Sequence, residues 1–196
     1  DASQFDFLNV SGLGTARLAD AFNLEGSFSF SRSRDSDGAA VIKAGLAAAV
    51  SGVDVLLAIM IFGDGTFAAS GSASAGLVAM FPGLALAGAV SVQVNTTGRE
   101  DIDETINLAG TPVPLQFGVG AGRIVRLQGT GLVLQTPLAV LSGNISFEKN
   151  LATNEVLAAA VDVELFVGDL RTADPADDVG LRITNGELAM LLGPDG

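Results

Sequence analysis

One heptad occurs three times in this chain, as Leu24-Glu-Gly26-Ser-Phe28-Ser29-Phe30, Leu86-Ala-Gly88-Ala-Val90-Ser91-Val92 and Leu141-Ser-Gly143-Asn-Ile145-Ser146-Phe147. The shared pattern is Leu-x-Gly-x-apolar-Ser-apolar. Ten residues before each Leu stands a glycine, Gly14, Gly76 or Gly131, with a small residue two positions earlier, Gly12, Ser74 or Gly129. Three copies with one internal spacing mark a repeat, and repeats constrain the fold before any single motif does. The period inside each copy is two. Phe28 and Phe30 alternate with Ser27, Ser29 and Ser31, and Val90, Val92 and Val94 alternate with smaller or polar residues. Such alternation sends one set of side chains to each face of a half-buried strand.

The same alternation continues through Val161, Val163, Leu165 and Val167, and again through Val179, Leu181 and Ile183. Two Ala/Leu-rich segments, 39–50 and 154–161, have helical propensity. The second runs on into Asp162-Val-Glu-Leu165 with period two, which favours strand for both. Asp64-Gly65, Ala121-Gly122 and Asn185-Gly186 read as hairpin turns, because Asp-Gly and Asn-Gly supply the positive φ that two-residue turns need. A glycine in one register of each heptad predicts a bend, a bulge or a close backbone approach.

Taking Gly14, Gly76, Gly131 and Gly196 as boundaries gives steps of 62, 55 and 65 residues. The expected organisation is residues 1–13 as the tail of a preceding unit, 14–75 as unit A, 76–130 as unit B and 131–196 as an A-like unit. Unit B is set apart by the polar run Asn95-Thr-Thr-Gly-Arg-Glu-Asp-Ile-Asp-Glu104. Because Gly193-Pro-Asp-Gly196 falls where a next corner would begin, the expectation is a slice of a longer array. The expected fold class is all-β with little or no helix: a tandem β-hairpin or solenoid-like repeat array of four or five strands per unit, with β-sandwich-like repeats as the alternative.

Composition narrows function by exclusion. The 196 residues contain no His, Cys, Trp or Tyr. Imidazole-based catalysis, disulfides and the usual zinc, haem and iron–sulfur ligand sets are therefore out of reach. A net charge of −12 opposes a phosphate backbone, so no nucleic-acid partner is expected. The most apolar run, Leu46 to Phe62, is seventeen residues long and contains Asp54. A spanning helix needs about 20 residues, and a central Asp costs about 2.5–3.5 kcal/mol, so the chain is not expected to span a membrane. Asp1 to Phe7 has none of the character of a signal peptide.

Three acidic segments are candidate metal loops: Asp35 and Asp37; Asp101, Asp103 and Glu104; and Asp174, Asp177 and Asp178. Alternating carboxylates suit Ca2+, and a solvated acidic face that keeps repeats soluble suits them equally. Nothing in the sequence places two carboxylates in a recognisable glycosidase motif, and the Tyr and Trp platforms for sugars are absent. Gly118-Val-Gly120-Ala-Gly122 departs from the dinucleotide fingerprint and precedes a strand-like segment; Gly71-Ser72-Ala-Ser74-Ala-Gly76 departs from the nucleophile elbow. No catalytic residue and no cofactor other than Ca2+ is expected, and the chain reads as a non-enzyme. Asn-x-Ser/Thr sequons occur at Asn9, Asn95 and Asn144; Asn144 sits in the heptad, leaving Asn9 and Asn95 as candidates for glycosylation.

With these heptads, the segment Val92-Gln-Val-Asn-Thr-Thr-Gly98 and the turn signals Gly63-Asp-Gly65 and Asn185-Gly186, the chain resembles the Gly/Ala/Val-rich tandem β-repeats of very large bacterial secreted or cell-surface proteins. The resemblance implies an extracellular or cell-surface location and a structural role in a fibre, stalk or filament built by end-to-end self-association. It also implies, as an alternative, a calcium-dependent adhesin or surface-ligand-binding module.

Overall fold

The computed structural model describes residues 8–18, 22–34, 38–50, 53–81, 84–108, 110–169 and 179–193. Among them are twelve strands and no helix: β1 (Leu8–Leu18), β2 (Phe22–Arg34), β3 (Ala40–Val50), β4 (Val53–Phe62), β5 (Phe67–Phe81), β6 (Leu84–Asn95), β7 (Asp103–Leu108), β8 (Thr111–Gln116), β9 (Ile124–Gln135), β10 (Ala139–Asn150), β11 (Val156–Asp169) and β12 (Val179–Leu192). Both Ala/Leu-rich segments are strands, β3 and the start of β11. There the period-two pattern outweighs alanine's helical preference.

Ten strands form one antiparallel sheet in the order β1-β2-β3-β4-β5-β6-β9-β10-β11-β12, and β7 and β8 form a separate hairpin. Among the described residues the sheet is not closed, and β1 and β12 each have a single neighbour. The three heptads lie on β2, β6 and β10, and each pairs with the strand that carries its upstream glycine. Gly14, Gly76 and Gly131 therefore lie inside β1, β5 and β9, not at corners.

Pairing registers separate two faces, because directly paired residues share a side. One line crosses all ten strands through Gly12, Phe28, Leu46, Leu57, Gly71, Val92, Leu127, Phe147, Ala158 and Met190. The next line up runs from Val10 to Leu192 and is apolar except for Lys149; the next line down runs from Gly14 to Leu188 and is entirely apolar or glycine. The opposite face carries Ser29, Ser70, Gln93, Arg126 and Glu148 in one line.

The hydrophobic core lies on that second face, where the hairpin folds back over the sheet. There β7 lies against β2 and β3, and β8 against β4 and β5. Ile106, Leu108, Val113 and Leu115 from the hairpin pack on Val41, Ala58, Met60 and Ala68 from the sheet. Leu108 and Leu115 are fully buried. Gly45 opens the space they enter: a Cβ there would stand 2.7 Å from Leu108 Cδ2 and 3.0 Å from Ile106 Cγ2. Pro112 and Pro114 in β8 are tolerated because a two-stranded ribbon leaves each strand one unpaired edge.

Two of the expected hairpin turns are placed otherwise. Asp64-Gly65 does connect β4 to β5, with Gly65 N–H donating to the Phe62 carbonyl at 3.0 Å. The bend near Ala121-Gly122 is instead closed by Ala121 N–H on the Gly118 carbonyl, with Gly120 at φ 84°, and it joins two different sheets. Asn185-Gly186 lies within β12: Asn185 has φ 55° and Gly186 pairs with Val163 across a register irregularity. Positive φ serves bulges as well as turns, so the dipeptide alone did not distinguish them.

That irregularity belongs to a crease crossing five neighbouring strands. Gly88, Gly131, Gly143, Asp162 and Asn185 all have positive φ, one each on β6, β9, β10, β11 and β12. Gly131 N–H donates to Asn144 Oδ1 at 2.8 Å, and Asn144 Nδ2 donates to Asp162 Oδ2 at 3.1 Å, so side chains tie successive bulges together. Gly88 has no room for a side chain, since a Cβ would stand 2.6 Å from the Gly131 carbonyl oxygen.

Candidate functional site

The connection from β6 to β7 holds the polar run Asn95 to Glu104 and is built around Asn95, whose exposure is 0%. Its Oδ1 accepts from the Thr97 N–H at 2.9 Å and the Thr97 hydroxyl at 2.7 Å. Its Nδ2 donates to the Arg99 and Ala121 carbonyls, both at 2.7 Å. All four bonds of the side-chain amide are made, so its burial carries no unsatisfied polar group. This role fixes where the chain leaves the sheet, and it withdraws Asn95 from the glycosylation candidates; Asn9 is exposed.

Beyond Asn95 the chain passes over an open cleft of about 240 Å³ bounded by Lys43, Met60, Phe62, Arg99, Asp101, Asp103 and Glu104. Most of its charged groups have partners within the protein. Lys43 Nζ meets Glu104 Oε2 at 2.7 Å, Gln116 Nε2 donates to Asp103 Oδ1 at 2.7 Å, and the Arg99 guanidinium lies 4.4 Å from the centre of the Phe62 ring. Asp101 is exposed at the rim. The three carboxylates of this candidate loop therefore take separate partners and surroundings. Among the described residues, no group of three or more carboxylates is gathered as a metal cluster would require. Asp35, Asp37, Asp174, Asp177 and Asp178 lie outside the described residues.

From the cleft a polar ladder runs across the sheet. Gln93 Nε2 donates to the Gln116 carbonyl at 3.1 Å, Arg126 Nη1 donates to Gln93 Oε1 at 3.1 Å, and Arg126 pairs with Glu148 at 2.7 Å. The ladder joins β8, β6, β9 and β10. Its groups satisfy each other, an arrangement suited to holding shape.

The remaining exceptional surfaces are the two sheet edges and the apolar face. Among the described residues β1 and β12 have no second neighbour, and such edges are a template for another strand. The sequence raised the expectation of end-to-end association between units; it raised none about the apolar face, although the period-two pattern held that signal once the strands were aligned. No helix among the described residues is long and apolar enough to cross a membrane. The chain is an all-β protein whose main body is one open, ten-stranded antiparallel sheet. No family model, curated protein or solved structure matches it.

Proposed function

We propose that the chain is a structural repeat module of an extracellular fibre, stalk or surface filament, and that it extends by joining its sheet edge to edge. The supporting observation is the position of the heptads. Aligned on them, β1 corresponds to β5 and β12 to β4, and β4 and β5 are already neighbours within the chain. The free edge of β12 is thus the counterpart of an edge that β5 covers, and the free edge of β1 is the counterpart of an edge that β4 covers. A junction between successive copies repeats an internal one, and the operation is open-ended because the two edges differ.

The register follows from the pairings. Leu57 pairs with Gly71 across β4 and β5. Through the heptad alignment Leu188 takes the place of Leu57, and Val10 that of Gly71, so Leu188 of one copy faces Val10 of the next. Directly opposed strand residues have Cα atoms about 4.5–5.5 Å apart, within reach of a disulfide. The chain has no cysteine of its own. Mixing Val10→Cys with Leu188→Cys protein under mild oxidation is expected to give a covalent heterodimer. Val10→Cys with Glu187→Cys, one residue away and on the opposite face, is expected to give none. Equal yields from both mixtures, or none from either, would refute the register and the edge junction with it.

A further inference from the structure

We propose that the apolar face of the sheet is covered by the same face of a second copy, giving a two-layered body. This rests on the structural-module reading above and adds the lateral partner to it. The three apolar lines span about 20 Å along the strands and about 48 Å across ten of them, a footprint of roughly 1,000 Å² at ordinary strand spacings. The largest apolar patch on a typical soluble monomer is about 300–600 Å². Face-to-face packing would bury about 2,000 Å² in total, the size of a stable dimer interface.

Charge supports a copy of this chain as the occupant. The protein carries a net −12, yet none of its carboxylates lies in these three lines, and Lys149 is their one charged residue. Two such faces can meet without repulsion between acids, and the Lys149 stem can carry its ammonium to the rim. The residues are large enough to interdigitate and remain half exposed in the single sheet: Phe28 is 41%, Leu57 40% and Ile145 45% exposed. Sheets packed this way lie about 10 Å apart with strands within about 30° of each other. The opposite face shows the same logic on a small scale, since β7 and β8 cover apolar residues of β3, β4 and β5 there.

A bilayer is the competing occupant and fits less well. Membrane barrels carry girdles of Trp and Tyr at both interfaces, whereas this chain has neither.

Sedimentation velocity on the full chain tests the proposal, comparing wild type with Leu57→Lys/Val92→Lys and, on a separate strand, Ile145→Lys. Circular dichroism and protection of the β7–β8 amides, on the other face, verify the fold of each. Wild type is expected as dimers or multiples of dimers. The lysine variants are expected to halve the mass of each species and to weaken association at least about 100-fold, since a buried unpaired charge is costly. They should leave the Val10→Cys/Leu188→Cys cross-link intact, which separates failure of the face from failure of the edge. Unchanged mass in variants that fold would overturn the proposal. So would flotation of the wild type, lost in the variants, with phosphatidylcholine vesicles.

Discussion

Leu108→Ala removes three carbons from the fully buried contact between the β7–β8 hairpin and the sheet. At about 0.8 kcal/mol per buried methylene the transfer loss is about 2.4 kcal/mol. The cavity left behind brings the total to about 3–4 kcal/mol, inside the usual range for buried leucines. Gly45→Ala perturbs the same contact from the other side. Gly45 has no positive φ, so alanine suits its backbone. The new Cβ would nonetheless stand 2.7 Å from Leu108 Cδ2. Overpacking costs about 1–3 kcal/mol, offset by about 0.4–1 kcal/mol from the reduced entropy of the unfolded chain. In the Leu108→Ala background that methyl is gone and the new Cβ enters the vacated space. The double variant is therefore expected to be less destabilised than the sum of the singles by about 1–3 kcal/mol. With no Trp or Tyr for intrinsic fluorescence, urea unfolding by circular dichroism supplies the stabilities. Hydrogen exchange over residues 103–116 reports whether the hairpin has lifted. Strict additivity would refute the placement of Leu108 over Gly45.

Two further outcomes follow from the loops. Asn95→Ala removes a buried side chain that makes four hydrogen bonds and leaves the Arg99 and Ala121 carbonyls without its donors; the expected loss is about 2–4 kcal/mol, read as a drop in Tm of roughly 4–16 °C. Expression in a glycosylating host should leave Asn95 unmodified by mass spectrometry. At the β4–β5 turn, the Thr66 hydroxyl and then its backbone N–H hold the Asp64 carboxyl below the usual carboxylate range. A depressed carboxylate adds stability above its unfolded pKa and loses it as pH falls through the folded one. Wild type and Thr66→Val should therefore show a stability difference near neutrality that shrinks below about pH 4, where carboxylates protonate. A difference independent of pH would dissociate Asp64 from the turn.

What was legible in the sequence is what period two can carry. Leu46 to Phe62 could be recognised as no membrane-spanning helix from Asp54 and as strand from its neighbours, and it forms the end of β3 and all of β4. Asn185-Gly186 was misplaced because the chain uses the same backbone conformation inside a strand as at a turn. The departure of β7 and β8 from the sheet was hidden for another reason. Ile106, Leu108, Val113 and Leu115 alternate as any strand would, and what makes them a separate layer is Gly45, some sixty residues away in sequence. The site residues divide in the same way. Glu104 could be seen as acidic, but its commitment to Lys43 is a tertiary fact.

The excursion of β7 and β8 also obeys a counting rule. Strand direction reverses at every step of a meander, so β6 and β9 run antiparallel only because an even number of strands lies between them. Had one strand left the sheet alone, its flanking strands would have pointed the same way, and closing the gap would have required a parallel ladder and a long crossover. Strands can therefore be traded between the sheet and its surface two at a time, with the direction of everything downstream preserved. A meander sheet can thus take on or lose surface decoration in whole hairpins without altering the direction of any strand that carries it.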